Sequence, residues 1–349
     1  MMISCLAAII LLLSSATSHD CWIQQESGVT VSLRGVSAVD EMICWASGAG
    51  GTVLRTDDGG TTWVMVSPVG FESCDFRDVQ AFSGLEAVIM SSGELDVVLR
   101  TEDGGETWQT VYEHPDRDAF FDCLVFWDQS RGMLMGDPID GHLFLAKTTD
   151  GGRTWEVVDR ETAPTVDAGE AGFAASGTNV CVAGDGLIWI GLGGAVAGQS
   201  FAHSHVWRSE DYGQTWQVHT APLSRSPTRG IFSIAAASEN HLVAVGGDFA
   251  NPDLAVGHVA FSSDGGRTWL APKQDPPRGY RSAVAVVPGT RPPRWLATGP
   301  TGTDTSQDFG NSWNVASTEG FHAMSFAPVD GVAGWAVGSD GRIAKYRPH

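Results

Sequence analysis

Positive charge is scarce in this sequence. Its 349 residues include 21 Lys and Arg against 41 Asp and Glu, a formal net charge of −20, and the only lysines are Lys147, Lys273 and Lys345. Phosphate backbones are held by clustered cations, so nucleic acid is not an expected partner, and anionic membrane surfaces are disfavoured on the same ground. Long apolar runs are missing beyond residue 13. The single run, Ile3 to Leu13, is too short to cross a bilayer and is followed by the small residues Ser14 to Ser18. It reads as a secretory leader over residues 1–18, with residues 19–349 as one exported domain, periplasmic or extracellular, without stable membrane insertion. Cysteine is sparse as well. Five remain after the leader, Cys21, Cys44, Cys74, Cys123 and Cys181. The odd number leaves at least one unpaired and one disulfide open, and the absence of C-x-x-C argues against a zinc or redox pair. Helical periodicity is absent, and no Gly-x-Gly-x-x-Gly links a strand to a helix, so no cofactor is expected.

What the sequence does have is a box repeated six times. The first copy is Thr56-Asp57-Asp58-Gly59-Gly60-Thr61-Thr62-Trp63. The others centre on Asp103, Asp150, Asp211, Asp264 and Asp308 and end at Trp108, Trp155, Trp216, Trp269 and Trp313. All fit S/T-x-D-x-G-x-T/S-W. The pattern describes a hairpin turn. The carboxylate accepts hydrogen bonds from turn amides, the glycine supplies a positive φ, and the Trp buries its ring against the next strand or blade. Each box offers one or two carboxylates, too few for a calcium loop, so these six aspartates are read as structural.

Successive box tryptophans lie 44 to 61 residues apart, enough for four short strands, which is one propeller blade. A seventh unit lacks a box. Residues 334–345 resemble residues 44–55, and the chain then stops after a third strand. The segment Cys21-Trp22-Ile23-Gln24-Gln25 resembles Thr62-Trp63-Val64-Met65-Val66. It is expected to supply the missing strand and close the ring, which leaves no open sheet edge. The fold expected is therefore all-β, a seven-bladed β-propeller of four-stranded blades.

Boxes are turns between the third and fourth strands of a blade, so the opposite face carries the longer and more varied loops. Loops on a rigid scaffold are the usual seat of binding. The candidates there are Asp137, Asp140, Asp185, Asp248 and Asp304, with Arg229 and Arg281 nearby, lining a pocket at the channel mouth. Mixed carboxylates and guanidiniums suit a polar ligand or a peptide segment. The bland alternative is that the aspartates cap Gly-rich turns and the arginines pair with them. His203-x-His205 has ligand-like spacing but no third ligand can be named, so no metal is expected.

The six boxes and the count of seven units resemble the Asp-box (BNR) propellers, and among them the photosystem II stability/assembly-factor-like family with its exported bacterial relatives. Further segments carrying the likeness are Met135 to Gly141, Glu170 to Gly177, Gly230 to Ile234, Gly279 to Ser282 and Gly320 to Ala323. The resemblance implies a seven-bladed propeller and, for the photosynthetic members, assembly factors that bind a membrane-protein precursor through a basic patch. This chain is strongly acidic by contrast. Sialidases share the box but need a tyrosine nucleophile and an Arg-Ile-Pro segment, which does not occur here. The first functional reading is a non-catalytic, monomeric binding scaffold for a protein or glycan at the loop face. The alternative is a glycan hydrolase using two of the face carboxylates.

Overall fold

In the computed structural model, residues 20–116, 119–328 and 332–348 are described, and they form strands and turns without a helix. The leader expected over residues 1–18 lies outside the described residues. Seven antiparallel sheets follow one another along the chain. Blade 1 is typical: Leu33–Ala38 innermost, then Cys44–Gly48, Thr52–Thr56 and the short outer strand Val64–Met65. The last blade consists of Ala323–Phe326, Gly334–Val337 and Ile343–Tyr346, and the N-terminal strand Trp22–Gln25 completes it. Trp22 stands opposite Tyr346 and Gln25 opposite Ile343. The ring thus closes where the sequence places the closure. Trp22 is 3% exposed, and its indole N–H donates to Thr303 Oγ1 in blade 6 at 3.1 Å.

Blade 5 departs from four full strands. Its sheet holds Arg229–Ala236, Leu242–Asp248 and Val259–Ser262, and the outer strand is reduced to a bridge between Phe261 and Leu270. Pro272, Pro276 and Pro277 follow at once, and proline has no N–H to continue a ladder.

The core is a ring of seven layers, one between each pair of neighbouring blades. The layer between blades 7 and 1, for example, packs Trp335, Val337 and Ile343 against Leu33, Ala46 and Leu54. Large second-strand side chains anchor several layers, among them the fully buried Trp45, Trp189, Trp295 and Trp335. The box tryptophans pack backward. Trp108 meets Trp45 edge-on at 6.1 Å and donates to the Val66 carbonyl, both in blade 1. Burial against the following blade, one of the two options in the sequence reading, is therefore corrected to burial against the preceding one.

A second repeated device is a cation on the third strand, immediately before the Ser or Thr that opens the box in blades 1 to 4 and at the equivalent place in the boxless blade 7. Arg55 donates to the Gly104 carbonyl of the next box at 2.8 Å, Arg100 to Gly151 at 3.0 Å and Lys147 to Gly213 at 3.0 Å. Arg208 donates to Gly265 at 2.7 Å, and Lys345 reaches back around the ring to Gly59 at 3.1 Å. Five interfaces are clipped this way. Two of the three lysines are used in this way.

Candidate functional site

The six boxes are alike in detail. Thr56 Oγ1 accepts from Gly60 N at 2.8 Å and donates to Asp58 Oδ1 at 2.9 Å, while Asp58 accepts from Thr62 N at 2.9 Å and Thr62 Oγ1 at 2.7 Å. Asp103, Asp150, Asp211, Asp264 and Asp308 repeat the pattern. The amide and hydroxyl of Thr62 hold Asp58 down to about 2. Every oxygen is occupied by the turn itself, and these carboxylates are part of the scaffold.

The opposite face holds a cavity of about 630 Å³ on the ring axis. All seven blades reach it. Arg34, Arg77, Asp137 and His322 line one side, and Phe173, Phe232, Phe249 and Tyr280 line the other. Their placement follows from a backbone irregularity. In blades 1, 2, 3 and 5 the register between the two inner strands slips by one residue near the start of the innermost strand, and the residues skipped are Arg34, Arg77, Asp122 and Phe232. A bulge releases one residue from the pleat and re-aims its side chain. Here it brings Arg34, Arg77 and Phe232 to the axis, where a regular strand would set them between blades.

Arg77 is held by Asp75 at 2.9 Å, donates to the Ala174 carbonyl at 3.1 Å and sits 5.5 Å from the Phe120 ring centroid. Arg34 makes no ion pair among the described residues. Burial, and then the neighbouring Arg77 charge, lower its pKa. Two adjacent guanidiniums, one without a carboxylate of its own, form a local positive centre in an acidic protein. His322 is pushed down to about 4 by burial and by Arg34 and Arg342, so it faces the cavity neutral at pH 7. Across from them, Phe173 and Phe232 stack at 4.0 Å with planes 6° apart, and Tyr280 meets Phe232 edge-on at 4.8 Å. Phe249 closes the rim, 47% exposed.

Below the arginines lies a group of strained carboxyls. Asp122 is 1% exposed and neither of its oxygens has a hydrogen-bond partner. Its pKa is raised well above the usual range by burial and then by Asp137, with Arg77 opposing. Asp137 is pushed up to about 6 by burial and by the Asp96 charge, against a hydrogen bond from the Gly172 amide. Asp96 itself is raised by burial.

Of the residues named from sequence, the structure brings Asp137 to this cavity. The others go elsewhere. Arg281 is fully buried and grips Asp304 through Nε at 2.9 Å and Nη2 at 2.5 Å, with further bonds to the Tyr280 carbonyl and Thr301. Asp304 is 1% exposed, so this pair braces the wall and presents nothing to a ligand. Asp248 pairs with Arg229 at 3.3 Å and accepts from Ala250 N and Asn251 Nδ2. Burial would raise its pKa, but the bonds from Asn251, Thr228 and Ala250 outweigh burial and hold it low. Asp140 sits at a turn tip with φ 50° and pairs with Arg160 at 3.0 Å. Asp185 is a correction. The sequence reading put it on the loop face, but Leu187–Gly191 is the second strand of blade 4. Asp185 therefore lies in the turn after Val180–Ala183, on the box face, where it bonds the Tyr212 hydroxyl. The residues missed were Arg34, Arg77, Asp122 and the aromatic wall.

One group has metal-ligand geometry. Ligand atoms of Asp167, Glu170 and His205 lie within 4.8 Å of one another. His205, not the pair His203-x-His205, is the histidine involved, and both its partners come from the connection between blades 3 and 4.

Comparisons with known proteins agree with the architecture. The family model described as photosynthesis system II assembly factor YCF48 matches residues 14–117. A solved structure of YCF48 bound to D1 peptide superposes with a TM-score of 0.64 at 19% identity, covering 95% of this chain and 96% of that one. YCF48 from Cyanidioschyzon merolae gives 0.62 at 18% identity, with 94% and 99% covered. A GH74 xyloglucanase from Xanthomonas campestris gives 0.60 at 17% identity, with 93% of this chain covered and 53% of the enzyme. No curated protein matches. By its boxes, its blade count and its ring closure, the chain is a seven-bladed Asp-box propeller similar to the YCF48-like photosystem II assembly factors.

Proposed function

We propose that this propeller is a binding and assembly scaffold that takes a polypeptide segment of another protein into the axial cavity. The observation that carries the reading is the pairing of Arg34 with Arg77 at the axis, facing an aromatic wall. A carboxylate, from an acidic side chain or a chain terminus, suits the two guanidiniums. Apolar side chains suit the stacked Phe173 and Phe232. A cavity of about 630 Å³ accommodates a few residues rather than a folded domain. The similar YCF48 structure with a D1 peptide supports a polypeptide as the class of ligand. Export by way of residues 1–18 belongs to the same proposal and is checked by the N-terminal mass of the mature protein.

The glycan-hydrolase alternative needs a protonated carboxyl facing an ionised one across a cleft. Asp122 and Asp137 are both pushed toward the protonated form by the same cause, burial, and Asp122 is sealed beneath the surface. The xyloglucanase likeness is one of fold. The test is capture of partners from the native envelope fraction on immobilised protein, beside a glycan-hydrolysis screen. Capture by the wild type that is lost in Arg34→Ala/Arg77→Ala supports the scaffold. Sugar release that survives the arginine changes and is abolished by Asp137→Asn rejects it.

A further inference from the structure

Blade 4 carries a polar group that the axial cavity does not use. Asp167 and Glu170 lie in the connection entering the blade, beside His205, the second residue of the strand Ser204–Ser209. Glu170 is 2% exposed. Its Oε2 accepts from the Asp167 amide at 3.1 Å and lies 3.1 Å from His205 Nδ1. Its Oε1 is 2.9 Å from the same nitrogen, so one imidazole nitrogen serves both oxygens and Oε1 has no well-aligned hydrogen bond of its own. Burial removes the water that would otherwise complete its coordination. Asp167 contacts Arg225 through one oxygen, and Arg225 stacks over Phe201 at 4.2 Å. With the imidazole neutral, two carboxylates face one guanidinium, and the group keeps one net negative charge.

We propose that Asp167, Glu170 and His205 form a binding site for one divalent transition cation. Three ligand atoms within 4.8 Å of one another can meet a single ion with small side-chain adjustments. Glu170 Oε1 supplies one lone pair, Asp167 a second oxygen, and His205 Nδ1 the nitrogen. An imidazole in the donor set selects manganese, iron, cobalt or zinc over calcium and magnesium, which prefer oxygen alone. Arg225 holds the Asp167 carboxylate in place as an outer partner, the arrangement that commonly orients metal ligands. The cation replaces the Nδ1 proton that otherwise bridges His205 to Glu170. Gly169 and Ala171, which flank Glu170, line the axial cavity, so the ion ties that part of the cavity wall to the third strand of blade 4. The site stands independently of the peptide reading, since neither Arg34 nor Arg77 takes part.

The experiment is titration of the chelator-stripped, full-length protein with cobalt(II), followed by its visible absorption bands and by calorimetry. The wild type is expected to bind one equivalent, with a rise in Tm that grows with metal concentration. His205→Gln and Glu170→Gln are each expected to weaken binding at least ~100-fold, while His203→Gln leaves it unchanged. His205 is the less buried of the two ligands, so His205→Gln decides the matter if Glu170→Gln does not fold. Absence of saturable cobalt or zinc binding by the wild type overturns the proposal, and so does undiminished binding by a folded His205→Gln.

Discussion

The two faces of the ring use the same residue in opposite ways. On the box face, five of the six aspartates are half-buried and Asp308 is exposed, each meets donors from its own turn, and Asp58, Asp103, Asp150 and Asp211 are held down to about 2. On the loop face, Asp96, Asp122 and Asp137 are enclosed, short of donors and raised by burial. Repetition accounts for the difference. A box carries its own donors within five residues, so each copy is satisfied wherever it occurs. Asp122 and Asp137 occur once and rely on neighbouring blades, which supply Arg77 and the Gly172 amide but too few hydrogen bonds. Aspartates that repeat build the ring here, and aspartates that do not repeat mark the place where the ring spends stability on a site.

The largest expected effect separates the faces by binding. Arg34→Ala combined with Arg77→Ala removes two charge-assisted contacts of about 1.5–3 kcal/mol each, so affinity for a captured peptide should fall at least ~100-fold. Asp264→Ala, on the box face, should leave affinity within about twofold. Fluorescence anisotropy with a labelled peptide from the captured partner checks both. Equal losses from the two changes would erase the distinction between the faces.

Next comes stability, with opposite signs for the two kinds of aspartate. Asp137 is held near 6, against the ordinary aspartate value of 3.8. Its native form therefore keeps a proton that the unfolded chain releases. The resulting destabilisation is absent below pH 3.8, grows as pH rises through the interval and is complete above 6. Asp137→Asn should stabilise the protein by up to about 3 kcal/mol at pH 7, at about 1.36 kcal/mol per pKa unit, and by nothing at pH 3.5. Urea unfolding at the two pH values reads the difference.

For the boxes the sign reverses. Asp211 is held near 2 against 3.8, so its contribution is present above pH 3.8 and is lost as pH falls through 2. Part of it is screened because the group is only half-buried. Asp211→Ala should lower Tm by about 2–6 °C at pH 7, and the gap to wild type should close as pH falls toward 2, as read by calorimetry. A gap that persisted at pH 2 would assign the loss to packing rather than to the carboxylate.

Local, repeated features made the scaffold legible in the sequence. Six boxes and two matched pairs of segments set the blade count and the closing strand, because each box holds its donors and its Trp within a few residues. The binding face was less legible. Asp248, Asp304, Arg229 and Arg281 have the composition of a ligand site, yet pairing across adjacent strands turns them inward. Arg34 and Arg77 sit in short strands whose alternation would hide them in the wall, and only the bulges expose them. One signal was available. Aligning the innermost strands places Arg34, Arg77, Asp122, Phe232, Arg281 and His322 at one repeat position, each after a large apolar residue. Variation at an otherwise regular position marks the channel lining. Asp122 and Arg281 are misleading there, because Asp122 is sealed beneath the surface and Asp304 draws Arg281 into the wall. The cation ahead of the box, Arg55, Arg100, Lys147 or Arg208, was equally visible and equally repeated. Its role as an inter-blade clip emerges only when the next box is seen beside it.

The smallest expected effect concerns Asp185, which looks like a loop-face acid by its Gly-Asp-Gly setting but lies on the box face. Its side chain is 91% exposed, bonds the Tyr212 hydroxyl and stands 3.9 Å from Arg131. Exposed pairs of this kind contribute about 0–1 kcal/mol, because solvent screens the charge and two mobile side chains must be ordered to meet. Asp185→Asn should shift stability by less than about 0.5 kcal/mol in urea unfolding and leave peptide affinity unaltered. The substitution sharpens the comparison, since Asp137→Asn makes the same chemical change where burial raises the pKa. Binding that dropped on Asp185→Asn would move the ligand to the box face and undo the assignment of the axial cavity, whereas indifference leaves Arg34 and Arg77 as the groups that a partner must meet.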